Sequence, residues 1–243
     1  MTYYKVLNAD RSCYHSGKGR WEPEGVPMPK IVGKLVLCDN GYHVCTADQL
    51  VDWVGPAIWE VDVDTTGMLT TSGEIVVVRQ ATLVRRTAWD LRSMALWAVD
   101  CAEHVQHLAK ADTVALNAVT RRHIAGEATI EEVVAAQYAC ELRNPRNPGS
   151  AAHYANYSAG SASDAACFRD AANDADFASF GGYANYLGFS AHRASTEARS
   201  AVFKTRYEAV YERTGACESS NYEGREAEDA EKTWQANQLL TYL

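Results

Sequence analysis

No stretch of this sequence approaches the roughly 20 consecutive apolar residues that a membrane-spanning helix needs. Its first residues, MTYYKVLNAD, carry neither the basic cluster nor the apolar core of a secretory leader. A soluble, cytoplasmic protein with no membrane partner is therefore expected. A disulfide framework is lacking too. The seven cysteines, Cys13, Cys38, Cys45, Cys101, Cys140, Cys167 and Cys217, are odd in number and scattered, which points to free thiols in a reducing compartment. No phosphate-binding glycine loop, H-E-x-x-H pair or G-x-S-x-G elbow occurs. The stretch GKGRW at 17–21 has two glycines and two cations without the phosphate-loop spacing, and it is read as a surface loop.

Positive charge is also in short supply. The formal net charge is -8, whereas a protein that binds nucleic acid unaided needs a concentrated basic surface to neutralise phosphates. The densest basic pairs, Arg85-Arg86 and Arg121-Arg122, are those of solvated helix or strand ends. Autonomous DNA binding is disfavoured and a protein partner favoured. With 47% hydrophobic and 22% charged residues, the composition is that of a folded chain.

What is present divides near residues 84–88. Residues 1–84 read as a small β-rich domain with a mixed sheet and one short helix. YYKVLNAD and KLVLC have strand character, GKGRWEPEGVPMPK is a loop, and AIWEVDVD alternates Ala57, Trp59, Val61 and Val63 against Ile58, Glu60, Asp62 and Asp64. Thr46 is an N-cap candidate for a helix that Gly55 and Pro56 would end. GEIVVVRQATLVRR continues as one or two further strands.

From Thr87 the apolar period changes from two to about 3.6. Thr87 and Asp90 have capping-box spacing, and Leu91, Met94, Ala98, Cys101, Val105 and Leu108 form one stripe. Thr129 and Glu132 repeat the capping-box pattern before IEEVVAAQYACELR, and the prolines of NPRNPGS mark a loop near 144–150. Beyond it, alanines recur three or four apart, a spacing that lets helices approach closely. HYANYSAG at 153–160 returns as GYANYLGF at 182–189, which suggests a degenerate helical repeat or chance within a biased segment. A terminal helix with acidic first turns should dock through Trp234, Leu239 and Leu240. The fold class expected is α+β, with residues 85–243 an Ala-rich, all-helical domain.

The stretch with most chemistry is CDNGYHVC, residues 38–45. An Asn-Gly pair between apolar runs signals a two-residue type I′ hairpin, because both turn positions need positive φ. That register would place Cys38 opposite His43, with Cys45 on the same sheet face. Cys38, His43 and Cys45 make three ligands of a tetrahedral zinc site, and Cys13 or His15 could be the fourth. The alternative is a buried thiol face beside a partly exposed histidine. Nucleophilic catalysis by Cys38 or Cys45 beside His43 lacks an oxyanion loop and an orienting group. No catalytic or cofactor-binding residue is assigned.

The order of GYHVCTADQLVDW and IWEVDVDTTG resembles part of the ADP-ribosyltransferase fold, which would imply a nicotinamide pocket. That activity relies on a His or Arg in the first core strand and on a late glutamate. YYKVLNAD supplies neither cation type, and no glutamate can be matched, so a non-enzymatic relative is the more economical reading. More broadly, CDNGYHVC, WDLRSMALWAVDCAEHV, AGEATIEEVVAAQYA, the Ala-rich tract and WQANQLLTYL resemble actinobacterial phage and prophage proteins. Size, acidity and composition are similar to early proteins of Streptomyces temperate phages that act as recombination directionality factors. The resemblance implies a large serine integrase as partner, switched from integration to prophage excision in the host cytoplasm, with no DNA cleavage by the factor itself. A phage anti-defence or host-takeover binder is a further alternative. Contact anchors would be sought among Trp21, Trp53, Tyr183 and Tyr186.

Overall fold

The structure, a computed structural model, describes residues 1–15, 19–37, 39–70, 75–142, 149–173 and 182–243, with backbone alone at 142, 172–173 and 182–185. It is an α+β protein of two compact units, Met1–Asp90 with Leu239–Leu243, and Leu91–Gln238.

The first unit holds six strands among its described residues: β1 (Tyr3–Leu7), β2 (Tyr42–Val44), β3 (Ala57–Val63), β4 (Leu69–Thr70), β5 (Val76–Val78) and β6 (Ala81–Arg86). They form two sheets, β1-β3-β6 and β2-β5-β4. Every described strand pair is antiparallel, where a mixed sheet was expected. One antiparallel bridge joins the sheets: the Tyr4 and Cys45 backbone amides each donate to the other's carbonyl, at 2.8 and 3.0 Å. The alternation in β3 is observed. Ala57, Trp59 and Val61 face a core with Leu7, Leu83 and Val78, while Ile58 is buried on the opposite side.

The Asn-Gly hairpin is not observed. Tyr42–Val44 pairs with β5 instead of the preceding segment, and the tight turn lies one step earlier, where Val36 and Asn40 exchange amide–carbonyl bonds of 2.9 Å. Asn40 has no positive φ; Gly41 does, at +140°. Glycine is required there because a Cβ would collide with Val77 of β5, a long-range packing demand that local turn chemistry does not reveal.

The short helix expected after Thr46 shrinks to a single 3-10 turn, Leu50–Asp52, preceded by Gln49. Thr46 turns its hydroxyl to Asp48, and its amide donates to the Gln49 side chain at 2.9 Å. Gly55 and Pro56 then cut the segment before a second turn can form.

The second unit comprises α1 (Leu91–His104), α2 (Ala111–Ala125), α3 (Ile130–Leu142), α4 (Ala151–Asn173), α5 (Gly182–Thr214) and the greater part of α6 (Cys217–Leu240). Thr87 does not cap α1, which starts four residues later. Its hydroxyl instead donates to the Ile58 carbonyl of β3 at 2.9 Å. The α3 capping box is present as expected: the Thr129 amide donates to Glu132 at 2.7 Å, and the Glu132 amide to the Thr129 hydroxyl at 3.3 Å. The loop near 144–150 falls largely outside the described residues.

Helices α4 and α5 run antiparallel, with Ser158 facing Ala194 and Phe168 facing Tyr186. Both helices carry fully buried alanines, Ala155, Ala159 and Ala162 on α4 and Ala191, Ala194 and Ala198 on α5. The Ser158 hydroxyl reaches the Ala194 carbonyl at 2.7 Å, which places the two backbones close together. The two tyrosine-rich repeats therefore begin antiparallel neighbours and lie at opposite ends of the pair. On α6, Gln235 is fully buried; it accepts from the Ser195 hydroxyl at 2.7 Å, and its carbonyl takes the Trp97 indole N–H at 3.1 Å. Leu239 is fully buried, Trp234 half-buried and Leu240 exposed. Among the described residues no helix is long and apolar enough to cross a membrane.

Candidate functional site

The first unit contains a cavity of about 550 Å³. Strand β1 contributes Lys5 to it, and the next segment contributes Cys13 and His15. Trp21 and Met28 come from the Pro/Gly loop, His43 and Cys45 from β2 and its end, and Trp53 from the residue after the 3-10 turn. The bridge between Tyr4 and Cys45 holds β1 and β2 together behind this space.

Four of the five residues considered for zinc, Cys13, His15, His43 and Cys45, thus line one cavity; Cys38 lies outside the described residues. They do not converge on a point. Among the described residues no three His, Cys, Asp or Glu side chains gather closely enough to hold a metal ion. Each local environment explains why. Cys45 is buried and directs its thiol to the Tyr4 carbonyl at 3.5 Å, and burial pushes that thiol up to about 12 even though Lys5 pulls the other way. Metal ligation and nucleophilic attack both need the thiolate, which this setting disfavours. Burial, then the nearby Lys5 charge, lowers the His43 pKa from its ordinary value, which favours the neutral ring. His15 places Nε2 3.3 Å from the Trp53 carbonyl and its ring edge-on to Trp53 at 5.0 Å.

Lys5 is the residue that sequence reasoning missed. Alternation along β1 places Lys5 with Tyr3 and Leu7, on the face whose β3 partners are Val61, Trp59 and Ala57. A lysine on the inward face of a strand was the available signal. Its ammonium donates to the His43 carbonyl at 2.8 Å and sits 5.3 Å from the centre of the Trp21 ring. Burial lowers its pKa, against the opposing influence of the Cys13 and Cys45 thiols. Among the described residues no carboxylate pairs with it. Trp21 meets Tyr42 edge-on at 5.7 Å, and the Tyr42 hydroxyl is anchored on the Pro29 carbonyl at 2.8 Å.

The helical unit presents a different surface. On α5, Tyr186, Phe189 and Arg193 follow one another at three- and four-residue spacing and so share a face. Tyr186 is 58% exposed and Phe189 63% exposed. Tyr157 of α4 extends the face, with the Arg193 guanidinium 5.6 Å from its ring centre, and Phe168 of α4 stacks on Tyr186 at 5.4 Å. Of the anchors sought in the sequence, Tyr186 is on this surface. Trp21 is buried and Trp53 half-buried, both in the cavity wall, and the Tyr183 side chain lies outside the described residues.

The chain matches no protein-family profile, no curated protein and no solved structure.

Proposed function

We propose that this protein is a phage recombination directionality factor, which binds a large serine integrase and shifts it from joining attP with attB to joining attL with attR. The observation that carries the reading is the aromatic–arginine face of α4 and α5. Tyr, Phe and Arg are the side chains that anchor protein interfaces, because they bury large areas at modest entropic cost. Tyr186 and Phe189 leave large apolar surfaces in water with Arg193 beside them. The net charge of -8 supports the same reading: an enzyme that holds DNA presents basic surface, which an acidic partner complements. A factor of this kind needs no chemistry of its own. It works by binding one arrangement of the recombinase more tightly than the other.

The test is an in vitro recombination assay with purified full-length chain, the cognate integrase and paired attachment sites. The reading predicts co-purification with the integrase, stimulation of attL by attR recombination and suppression of attP by attB. Folded protein that neither associates with the integrase nor changes the product ratio contradicts it.

A further inference from the structure

We propose that the cavity of the sheet unit is a binding site for a small planar aromatic anion, a ring carrying a carboxylate or a phosphate group. The argument begins with Lys5. Its place on the core-facing side of β1 is one where an apolar side chain would pack, and enclosing an ammonium without a counter-charge is unfavourable. Among the described residues the compensation is partial: one carbonyl, that of His43 at 2.8 Å, and the face of Trp21 at 5.3 Å. An anionic group entering the cavity supplies the missing charge. Arg20 also lines the space, and Asp39, the one carboxylate of the lining among the described residues, is solvent-exposed.

The remaining walls select the rest of the ligand. Trp21 and Tyr42 form one aromatic corner, and Trp53 with His15 forms another, with ring centres 5.7 and 5.0 Å apart in the two pairs. Rings so placed favour a flat, polarisable guest over an aliphatic chain. A volume of about 550 Å³ falls within the roughly 300–1,000 Å³ typical of small-molecule sites. Lys5 is lowered by burial, and an anion beside it would draw its pKa back up. The site is independent of the integrase reading and stands if that reading fails.

Calorimetric titration of the intact chain at pH 7 tests it with four probes: adenosine monophosphate and indole-3-acetate, and their uncharged counterparts adenosine and indole. At least one anion is expected to bind tenfold or more tightly than its neutral counterpart, and the two anions separate phosphate from carboxylate preference. Lys5→Met, which keeps an unbranched apolar stem, should remove that advantage, and Lys5→Arg should retain most of it. Should Lys5→Met fail to fold, the charged-against-neutral comparison on the unaltered chain decides alone. Absence of binding by both anions, equal binding of charged and neutral probes, or full anion binding by folded Lys5→Met overturns the proposal.

Discussion

The two units build their interiors from opposite materials. In the sheet unit the core is made of large side chains, such as Leu7, Trp59, Leu83 and Val78, and its members Trp21, Met28 and Val44 also line a cavity. In the helical unit α4 and α5 bury many alanines, and where they meet the Ser158 hydroxyl reaches the Ala194 carbonyl directly. The polar content differs in the same sense. The sheet unit lines its cavity with Lys5 and Arg20, whereas the helical unit buries Ser195, Gln235, Thr113 and Asn156 with mutual hydrogen bonds of 2.7 and 2.8 Å. Close packing with hydrogen-bonded polar groups specifies one register, and a wide interior lined by cations invites an anionic guest.

Substitutions in opposite directions should break the two cores. Leu83→Ala removes a 1%-exposed side chain from the sheet core and is expected to lower stability by about 2–5 kcal/mol in urea unfolding. Ala194→Leu forces bulk between α4 and α5 where Ser158 reaches the Ala194 carbonyl, and should cost about 1–3 kcal/mol by overpacking. A Leu at 194 that is tolerated without loss would show that the seam is looser than its hydrogen bond implies. Thr129→Ala removes one half of the α3 capping box on an exposed helix end, and a loss of about 1 kcal/mol is expected, seen by the same unfolding measurement.

The smallest effect is a pH dependence confined to the sheet unit. The folded pKa of His43 is lowered from 6.5, so below that value the unfolded chain binds the proton more readily than the folded one. Stability from this group is present above pH 6.5 and is lost as the pH falls through the depressed folded pKa. Denaturation midpoints measured between pH 7 and 5 should therefore decline less in His43→Gln than in the unaltered chain. An identical decline would mean that His43 is as free to protonate in the fold as out of it.

The same contrast explains what could be read from the sequence. Features decided within a few residues were legible: the β3 alternation, the Thr129–Glu132 box and the alanine spacing of α4. Features decided at long range were not. Gly41 answers to Val77 and Thr87 to Ile58, so turn and capping rules applied locally misplaced both. Helix α2 went unmarked because much of its buried stripe, Thr113, Asn117, Thr120 and His123, is polar. At the site, the gathering of Cys13, His15, His43 and Cys45 was partly visible, although the hairpin invoked for it is absent. Lys5 was overlooked because a lysine in an edge-like strand suggests solvent unless its register is known.

Under the two proposals, partner contact falls to the helical unit and the cavity to a small guest. Stimulation of attL by attR recombination by the Phe189→Ala variant, set beside Lys5→Met in the same assay, tests this most directly. Phe189 is 63% exposed, so its removal should leave the fold intact. The account predicts at least a tenfold loss of stimulation for Phe189→Ala and near-normal stimulation for Lys5→Met. Full activity of Phe189→Ala would contradict it.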